Sequence, residues 1–274
     1  MNRARPLQIW SKNCQEHLES LWLQRLAPFA DRLAVLSHPN RKSLRLEIYG
    51  LSPGDAKKLT QEWGGRTRAQ LPPPAPKAAA PIRIRQRLII VSSESDPAPE
   101  TPNGRAVLRI PAGMAFGTGD HATTATCLRL LADLELQGEE FLDLGCGTGI
   151  LGLAARALGA DRVLAADFDP DAVRVTKDNL RLNQLSRVTV RQLDVLDWKP
   201  DRQWPVVAAN LFSGILIEAA ATLAAATAPG GTLIFSGVLQ TQAQAVCKAL
   251  TQNGFRIQTR VRRGKWFTAL ALRA

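Results

Sequence analysis

Glycines recur in a short segment, Asp143-Leu-Gly145-Cys-Gly147-Thr-Gly149, which follows a strand-like run and precedes a helical pattern. Glycine tolerates positive φ and lets a ligand approach the backbone closely, and the N-terminus of a helix offers unpaired N–H groups. Read from Gly147, the sequence also fits the G-x-G-x-x-G pattern of dinucleotide-binding proteins, although that pattern alone is weak. The segment therefore predicts a small-molecule site, and neighbouring residues must indicate the ligand class.

Two carboxylates near the glycines favour a cationic ligand. Asp143 lies two residues before Gly145, where a negative charge attracts a cation and repels a pyrophosphate. Asp167 ends the next predicted strand, 22 residues after Gly145, a position from which a carboxylate accepts the two hydroxyls of a ribose. S-adenosylmethionine carries a sulfonium and an ammonium but no phosphate, so both carboxylates favour it. Helix capping is the alternative role for Asp143 and for Asp169.

Three further motifs accompany the glycine segment. They are Gly117-Thr-Gly119-Asp120-His121-Ala-Thr123-Thr124, Ala209-Asn210-Leu211 and Ser236-Gly-Val-Leu239. They are similar to the patterns G-T-G-x-H-x-T-T, A-N-I-L and an S-G-I-L-type strand end. From about residue 82 to residue 274, the chain thus resembles the class I S-adenosylmethionine-dependent methyltransferases and, within them, the PrmA family, which methylates ribosomal protein eleven of the large subunit.

The resemblance implies a set of residues that hold the methyl donor, S-adenosylmethionine. They are Thr124, Gly145, Asp167 and Asn210. Thr123, Asp143 and Gly147, which lie beside them in the same motifs, are predicted to contact the donor as well. By residue type alone, Thr123 and Thr124 could instead cap a helix, and Asn210 could be the satisfied amide of a turn. Residues 117–119 form either a flexible turn or a loop that closes over the donor.

The acceptor that the resemblance implies is an amine, either a lysine ε-amine or the N-terminal α-amine of the ribosomal protein. Methyl transfer is a one-step displacement, so the protein must mainly align the reactants and control charge. The amide oxygen of Asn210 would orient the amine, and His121 would either take part in removing its proton or order the loop. The sequence indicates no metal site, Ser-His-Asp triad or pair of catalytic carboxylates.

Four other functions remain compatible with the sequence. Asp120 and Ala122 depart from the Thr and Pro common in the family, and Leu211-Phe212 from its Ile-Leu, which leaves open a related enzyme that acts on another protein lysine. The basic charge favours an RNA methyltransferase, but A-N-L-F lacks the aromatic platform expected for a flipped base. A dinucleotide-dependent oxidoreductase would use the G-x-G-x-x-G match. A non-enzymatic RNA-binding module would rest on the basic N-terminal third alone.

Alternating strands and helices must position these residues. Strands are predicted at residues 140–144, 162–167, 188–193, 205–209, 231–236, 255–261 and 266–272, and helices at 123–134, 150–158, 170–182, 213–226 and 241–253. Apolar runs such as RVLAAD and PVVAAN suit strands covered on both faces, and a short connection joins the last two strands. The sequence therefore predicts an α/β domain with the Rossmann-like, seven-stranded sheet of the class I methyltransferases and an antiparallel hairpin at its edge.

The N-terminal third predicts a smaller α+β domain. Strands at 6–10, 32–36 and 44–49 alternate with helices at 15–27 and 53–63, where Ser52 is the N-cap and Pro53 the first helical residue. With a polar turn at 38–42 and a final strand, this makes a ferredoxin-like module. A Pro-rich spacer at 71–80, a single strand at 82–91 with Arg83, Arg85 and Arg87 on one solvated face, and a loop at 92–104 follow.

The predicted domains are thus a substrate-recognition domain at 1–70, a linker with a connecting strand at 71–105 and the methyltransferase domain at 106–274. The 274 residues carry a net charge of +11, and residues 1–105 contribute +8 of it, which suggests contact with ribosomal RNA. The four cysteines are far apart in the sequence and contain no C-x-x-C pair, as expected for a reducing, cytoplasmic setting. We expect no secretory signal and no membrane contact, since the longest apolar stretch is short.

Overall fold

The computed structural model describes residues 7–37, 43–69, 80–92, 104–111, 116–117 and 119–274. Contacts between Cα atoms divide the chain into two compact units, Met1–Lys77 and Ala78–Ala274. The predicted turn at 38–42, most of the spacer at 71–80 and most of the loop at 92–104 lie outside the described residues, as does Thr118.

The N-terminal unit has four strands and two helices. These are β1 (Gln8–Gln15), α1 (Glu19–Arg25), β2 (Leu33–Ser37), β3 (Ser43–Leu51), α2 (Pro53–Trp63) and β4 (Arg66–Ala69). The strands pair antiparallel in the order β2-β3-β1-β4. This β-α-β-β-α-β succession, with the first and third strands at the centre, is the ferredoxin-like arrangement and confirms the predicted fold class of this unit.

The first helix is shorter than predicted. Strand β1 continues to Gln15, with Trp10 and Cys14 buried on its inner face, and short 3-10 turns at Glu16–Leu18 and Ala27–Arg32 flank α1. The second helix begins as predicted: the Ser52 hydroxyl accepts the Asp55 N–H at 3.1 Å. These elements enclose a separate apolar core, so the unit has its own packing.

The C-terminal unit starts with a small sheet of β5 (Ile82–Ile84), β6 (Leu88–Val91) and β7 (Ala106–Arg109). The single strand predicted for residues 82–91 is therefore wrong. The chain reverses at Arg85, which has a φ of 51°, and β5 pairs antiparallel with β6. Arg85 forms a salt bridge with Asp133 at 2.7 Å, and Arg87 donates to the carbonyls of Ala132 and Leu134 at the end of a helix. The predicted solvated row of arginines does not form, because these two guanidiniums bind the end of that helix.

The large sheet of this unit has seven strands. They are β8 (Glu140–Leu144), β9 (Arg162–Asp167), β10 (Val188–Gln192), β11 (Trp204–Asn210), β12 (Thr227–Leu239), β13 (Phe255–Arg263) and β14 (Trp266–Arg273). Their order is β10-β9-β8-β11-β12-β14-β13, and β14 runs antiparallel to both of its neighbours, while the other adjacent strands pair parallel. The predicted Rossmann-like sheet and its antiparallel edge hairpin are confirmed.

Helices cover both faces of this sheet. They are α3 (Ala122–Ala132), α4 (Ile150–Ala157), α5 (Pro170–Leu182), α6 (Ser213–Glu218), α7 (Ala220–Ala226) and α8 (Ala243–Gln252). The helix predicted for residues 213–226 is divided at Ala219, whose ψ of 2° leaves the helical region, while Leu216 and Leu223 on either side stay buried. Among the described residues, no helix has the length and apolar character needed to cross a bilayer.

Candidate active site

The glycine segment forms a tight turn between β8 and α4. Gly145, Gly147 and Gly149 all have positive φ, at 71°, 55° and 79°, a conformation that glycine adopts without strain. A pocket of about 550 Å³ opens beside this turn, at the carboxyl ends of β8, β9 and β11. Parallel α/β sheets bind their ligands at this edge, so the fold and the glycine turn indicate the same place.

Asp167 lies in the wall of this pocket, at the end of β9. Its Oδ2 accepts the Gly147 N–H at 2.9 Å, and its Oδ1 accepts the Asp169 N–H at 3.1 Å. An ionised carboxylate has about four acceptor positions, so these two bonds orient the group and leave capacity for two ligand hydroxyls. Asp169 caps α5 through the Asp171 N–H, as the capping alternative predicted, and also lines the pocket.

Asp143 lies beneath the glycine turn rather than in the pocket wall. It is 1% exposed, and its Oδ2 accepts the Gly152 N–H at 2.8 Å. Its Oδ1 has no hydrogen-bond partner within the described residues. Burial, together with the negative charge of Asp167, raises the pKa of Asp143 to about 7, against the opposing effect of the Gly152 hydrogen bond. Asp143 thus holds the first turn of α4 from behind the pocket lining.

His121 and Thr123 line the pocket at the start of α3. His121 is the N-cap residue: Nδ1 lies 2.7 Å from the Thr123 hydroxyl and 3.4 Å from the Thr123 N–H. Thr124 is as fully buried as Thr123 but does not line the pocket, and its hydroxyl has no partner within the described part of the chain. The structure therefore brings one of the two predicted threonines to the pocket surface.

The segment before α3 is fastened to the glycine turn. The Phe116 carbonyl accepts the Thr148 N–H at 3.0 Å, and the Gly117 carbonyl accepts the Thr148 hydroxyl at 2.5 Å. A Cβ on Gly147 would collide with the Phe116 carbonyl. Gly117 and Gly119 are also buried, so the described residues of this segment pack against the glycine turn. Closure of this segment over the donor stays a prediction.

Asn210 ends β11 on the opposite side of the glycine turn, paired in register with Ser236 of β12. It lines the pocket, and its Oδ1 is buried without a hydrogen-bond partner among the described residues. An unpartnered buried carbonyl oxygen costs free energy, so this oxygen favours a ligand that donates to it. The alternative of a satisfied turn amide does not describe this oxygen.

The sequence did not point to the aromatic residues around the pocket. The His121 ring lies 5.1 Å from the ring centroid of Phe116 and 5.0 Å from that of Trp266. Phe168 and Phe212 also line the pocket and are 67% and 75% exposed. Because Phe168 directly follows the predicted site residue Asp167, the sequence could have indicated that it lies at the pocket. Trp266 reaches the site only through the strand order, which no local pattern reveals.

The charge of the pocket lining favours a cationic ligand over a dinucleotide. Three aspartates line it, and its described lining contains no Lys or Arg: besides aspartate, its side chains are mostly apolar or aromatic. A dinucleotide would place two phosphate charges here with no cation to meet them, which electrostatics disfavours. A nucleoside-bearing cation meets both the acidic groups and the apolar wall. The described residues contain no cluster of three or more potential metal ligands.

Strand order, glycine turn and pocket together define the fold class of the C-terminal unit as class I methyltransferase. The family model described as "Ribosomal protein L11 methyltransferase (PrmA)" matches residues 75–273. The chain therefore belongs to the PrmA family, which confirms the resemblance seen in its motifs. The match does not extend over most of the N-terminal unit.

Individual relatives agree with the family match. The chain is 43% identical to a ribosomal protein L11 methyltransferase of Hahella chejuensis, over 62% of this chain and 56% of that protein. With the enzyme of the same name from Heliobacterium modesticaldum the figures are 37%, 71% and 61%. The crystal structure of a ribosomal protein L11 methylase from Lactobacillus delbrueckii superposes with a TM-score of 0.65 at 27% identity, covering 70% of this chain and 98% of that one. The chain thus spans less than two thirds of the length of these curated relatives.

Proposed function

We propose that this protein transfers methyl groups from S-adenosylmethionine to lysine ε-amines, to the N-terminal α-amine, or to both, of large-subunit ribosomal protein L11. The observation that carries the proposal is the pocket at the carboxyl edge of a class I sheet, whose described lining has three aspartates and no Lys or Arg to bind a phosphate. The names of the relatives supply the acceptor. A substrate of this kind would place the activity in the cytoplasm.

The pocket residues fit this donor. Asp167 offers acceptors for ribose hydroxyls, the glycine turn at Gly145 and Gly147 allows close approach, and Asn210 and Thr123 complete the polar part of the wall. S-adenosylmethionine supplies an electrophilic methyl group when it is bound. Asp143 and Thr124, which the sequence placed among the direct contacts, lie outside the pocket lining. Asp143 would act from behind the pocket by holding the first turn of α4.

The acceptor amine must arrive uncharged. A lysine with a pKa near 10.4 is only about 0.1% neutral at pH 7.4, which corresponds to roughly 4 kcal/mol. The apolar and aromatic wall disfavours the ammonium form by desolvation, and the Asn210 Oδ1 can accept an N–H of the neutral amine and orient its lone pair.

His121 can receive the proton in one of its two tautomers. If Nδ1–H donates to the Thr123 hydroxyl 2.7 Å away, Nε2 is left unprotonated and can accept from the amine. If Nδ1 instead accepts the Thr123 N–H, Nε2 carries the proton and His121 only orders the loop. The 2.7 Å contact fits both arrangements, because the Thr123 hydroxyl can accept from Nδ1–H or donate to an unprotonated Nδ1.

The test is a methylation assay with purified L11 and labelled S-adenosylmethionine, followed by mass spectrometry of the product. We expect label on L11 amines. The related enzyme for another protein lysine is supported if L11 stays unlabelled while another protein in a ribosomal extract is labelled, and RNA methylation is supported if label appears in nucleic acid. NAD binding in place of S-adenosylmethionine would contradict the proposal altogether.

We further propose that residues 1–70 recognise the substrate and that their basic surface contacts ribosomal RNA. The charge of the N-terminal third supports this, as do the exposed Arg66 and Arg68 of β4. Deleting these residues should reduce L11 methylation while leaving donor binding intact, because the pocket residues all lie in the C-terminal unit.

A further inference from the structure

The charge of the methyltransferase unit is strongly divided along the chain. Residues 106–218 contain 11 Lys or Arg and 15 Asp or Glu, whereas residues 219–274 contain seven Lys or Arg and no acidic residue. Five of those seven cations lie in or beside the edge strand β13. They are Arg256, Arg260, Arg262, Arg263 and Lys265.

All five side chains are exposed, and none of them pairs with a carboxylate within the described residues. Along a strand that rises about 3.3 Å per residue, the row from Arg256 to Arg263 extends about 23 Å. The register places Arg263 opposite Trp266, which lines the pocket. The row therefore ends beside a residue of the pocket lining.

Other cations add to this surface. Arg129 of α3 is partly buried, and its burial, with the positive charges of Arg263 and Arg85, lowers its pKa. Lys265 lies over the Trp266 ring at 5.4 Å. Arg85 is paired with Asp133, but the five cations of the row have no acidic partner among the described residues and repel one another, which favours a polyanionic partner.

Protection of a sheet edge explains only part of the pattern. Charged side chains on an edge strand prevent it from pairing with another sheet, but charges of either sign serve that purpose. A row of a single sign, rich in arginine, matches phosphates, which the guanidinium binds through two parallel hydrogen bonds. Trp266, next to the row, is partly exposed and carries Lys265 over its ring, and aromatic rings beside basic groups are typical of sites for single-stranded nucleic acid.

We propose that the edge of the methyltransferase unit formed by Arg256, Arg260, Arg262, Arg263 and Lys265 is a binding surface for single-stranded RNA that ends beside a residue of the pocket lining. This surface is separate from the basic N-terminal third. Binding to it requires neither the methyl donor nor L11, so the proposal can fail while the proposed activity holds, and the reverse.

The experiment measures binding of a fluorescein-labelled oligouridylate to the full chain by fluorescence anisotropy at several salt concentrations. The test variant is Arg260→Gln/Arg262→Gln/Arg263→Gln. The matched control, Arg174→Gln/Lys177→Gln/Arg181→Gln, removes the same charge from the exposed face of α5. For three lost phosphate contacts, the slope of log K against log salt should become shallower by about 2, and affinity at 0.1 M salt should fall about 100-fold. The control should keep the parent's affinity and slope.

Three results would overturn the proposal. Equal losses in both triple variants would mean that only net charge matters, and unchanged binding in the test variant would place RNA elsewhere. Equally tight, equally sensitive binding of polyglutamate would identify an acidic protein as the partner. Thermal unfolding checks the fold of each variant; if the triple variant does not fold, the single Arg262→Gln change should still reduce the slope by about 0.7.

Discussion

Asp167 shows how one side chain links the fold of this unit to its ligand. One of its oxygens holds the glycine turn and the other holds the start of α5, so the carboxylate is oriented before any ligand arrives. A group that needs no rearrangement on binding loses less free energy in the process. The same carboxylate is thus part of the scaffold and part of the proposed donor site.

Asp167→Ala should weaken donor binding by at least about 100-fold, because two hydrogen bonds to a charged acceptor are lost. Isothermal titration calorimetry with S-adenosylmethionine measures this directly. Affinity within a few-fold of the parent would remove Asp167 from the donor site. Asp178→Ala, an exposed carboxylate of α5 away from the pocket, is the matched control.

Asn210→Ala should lower kcat about 10-fold or more at saturating donor and substrate, since the amine loses the acceptor that orients it. Asn253→Ala removes a side-chain amide that donates to the Ala249 carbonyl away from the pocket lining and should leave turnover unchanged. Normal turnover in the Asn210 variant would show that this amide has no role in the chemical step.

Asp143 should make stability depend on pH. Its pKa is about 7 in the folded protein and about 3.9 when unperturbed, so the folded state binds the proton more tightly. Its contribution to the free energy of unfolding is complete below about pH 4 and is lost as pH rises to about 7, on the order of 4 kcal/mol at most. Asp143→Asn should remove this loss. Urea unfolding between pH 4 and pH 7 measures the free energy of unfolding of both proteins. Parallel pH profiles for parent and variant would show that Asp143 does not cause the pH dependence.

At the scale of elements, the segment before α3 is hydrogen-bonded to the glycine turn. Gly147→Ala should abolish donor binding, because the added Cβ would collide with the Phe116 carbonyl and separate the two segments. Gly138→Ala is the control: Gly138 has a φ of 79° but open space around its Cβ position, so that variant has only the backbone strain of about 1–2 kcal/mol. Calorimetry and circular dichroism distinguish lost binding from lost fold. Equal donor affinity in the two variants would show that the contact between Phe116 and the glycine turn is not needed for donor binding.

The central strands of the large sheet, such as β8 and β11, were predictable because they are buried on both faces and form nearly uninterrupted apolar runs. Strand β9 and helix α5 have the predicted bounds. The hairpin of β5 and β6 was not predictable, since its turn uses a positive φ at Arg85, a residue type that gives no turn signal. The contact of Arg87 with the end of α3 depends on tertiary structure that local sequence does not encode.

For the whole molecule, the two units have separate apolar cores, and the pocket lies entirely in the second unit. We therefore expect a fragment of residues 78–274 to fold cooperatively and to bind S-adenosylmethionine as tightly as the full chain. Methylation of L11 by the fragment should fall, through a higher KM for L11. Calorimetry and steady-state kinetics measure the two effects, and a fragment that methylates L11 normally would contradict the substrate-recognition role of residues 1–70.

The position of β14 has a consequence for how the chain reaches its native state. This strand follows β13 in sequence but lies between β12 and β13 in the sheet. Until residues 266–273 are in place, β12 has an unpaired edge along Leu233, Ile234 and Phe235, which the finished sheet buries. Exposed apolar edges promote aggregation. During synthesis the chain is therefore most vulnerable after β12 has emerged and before β14 has, and insertion of that one strand gives both neighbours their partner at once.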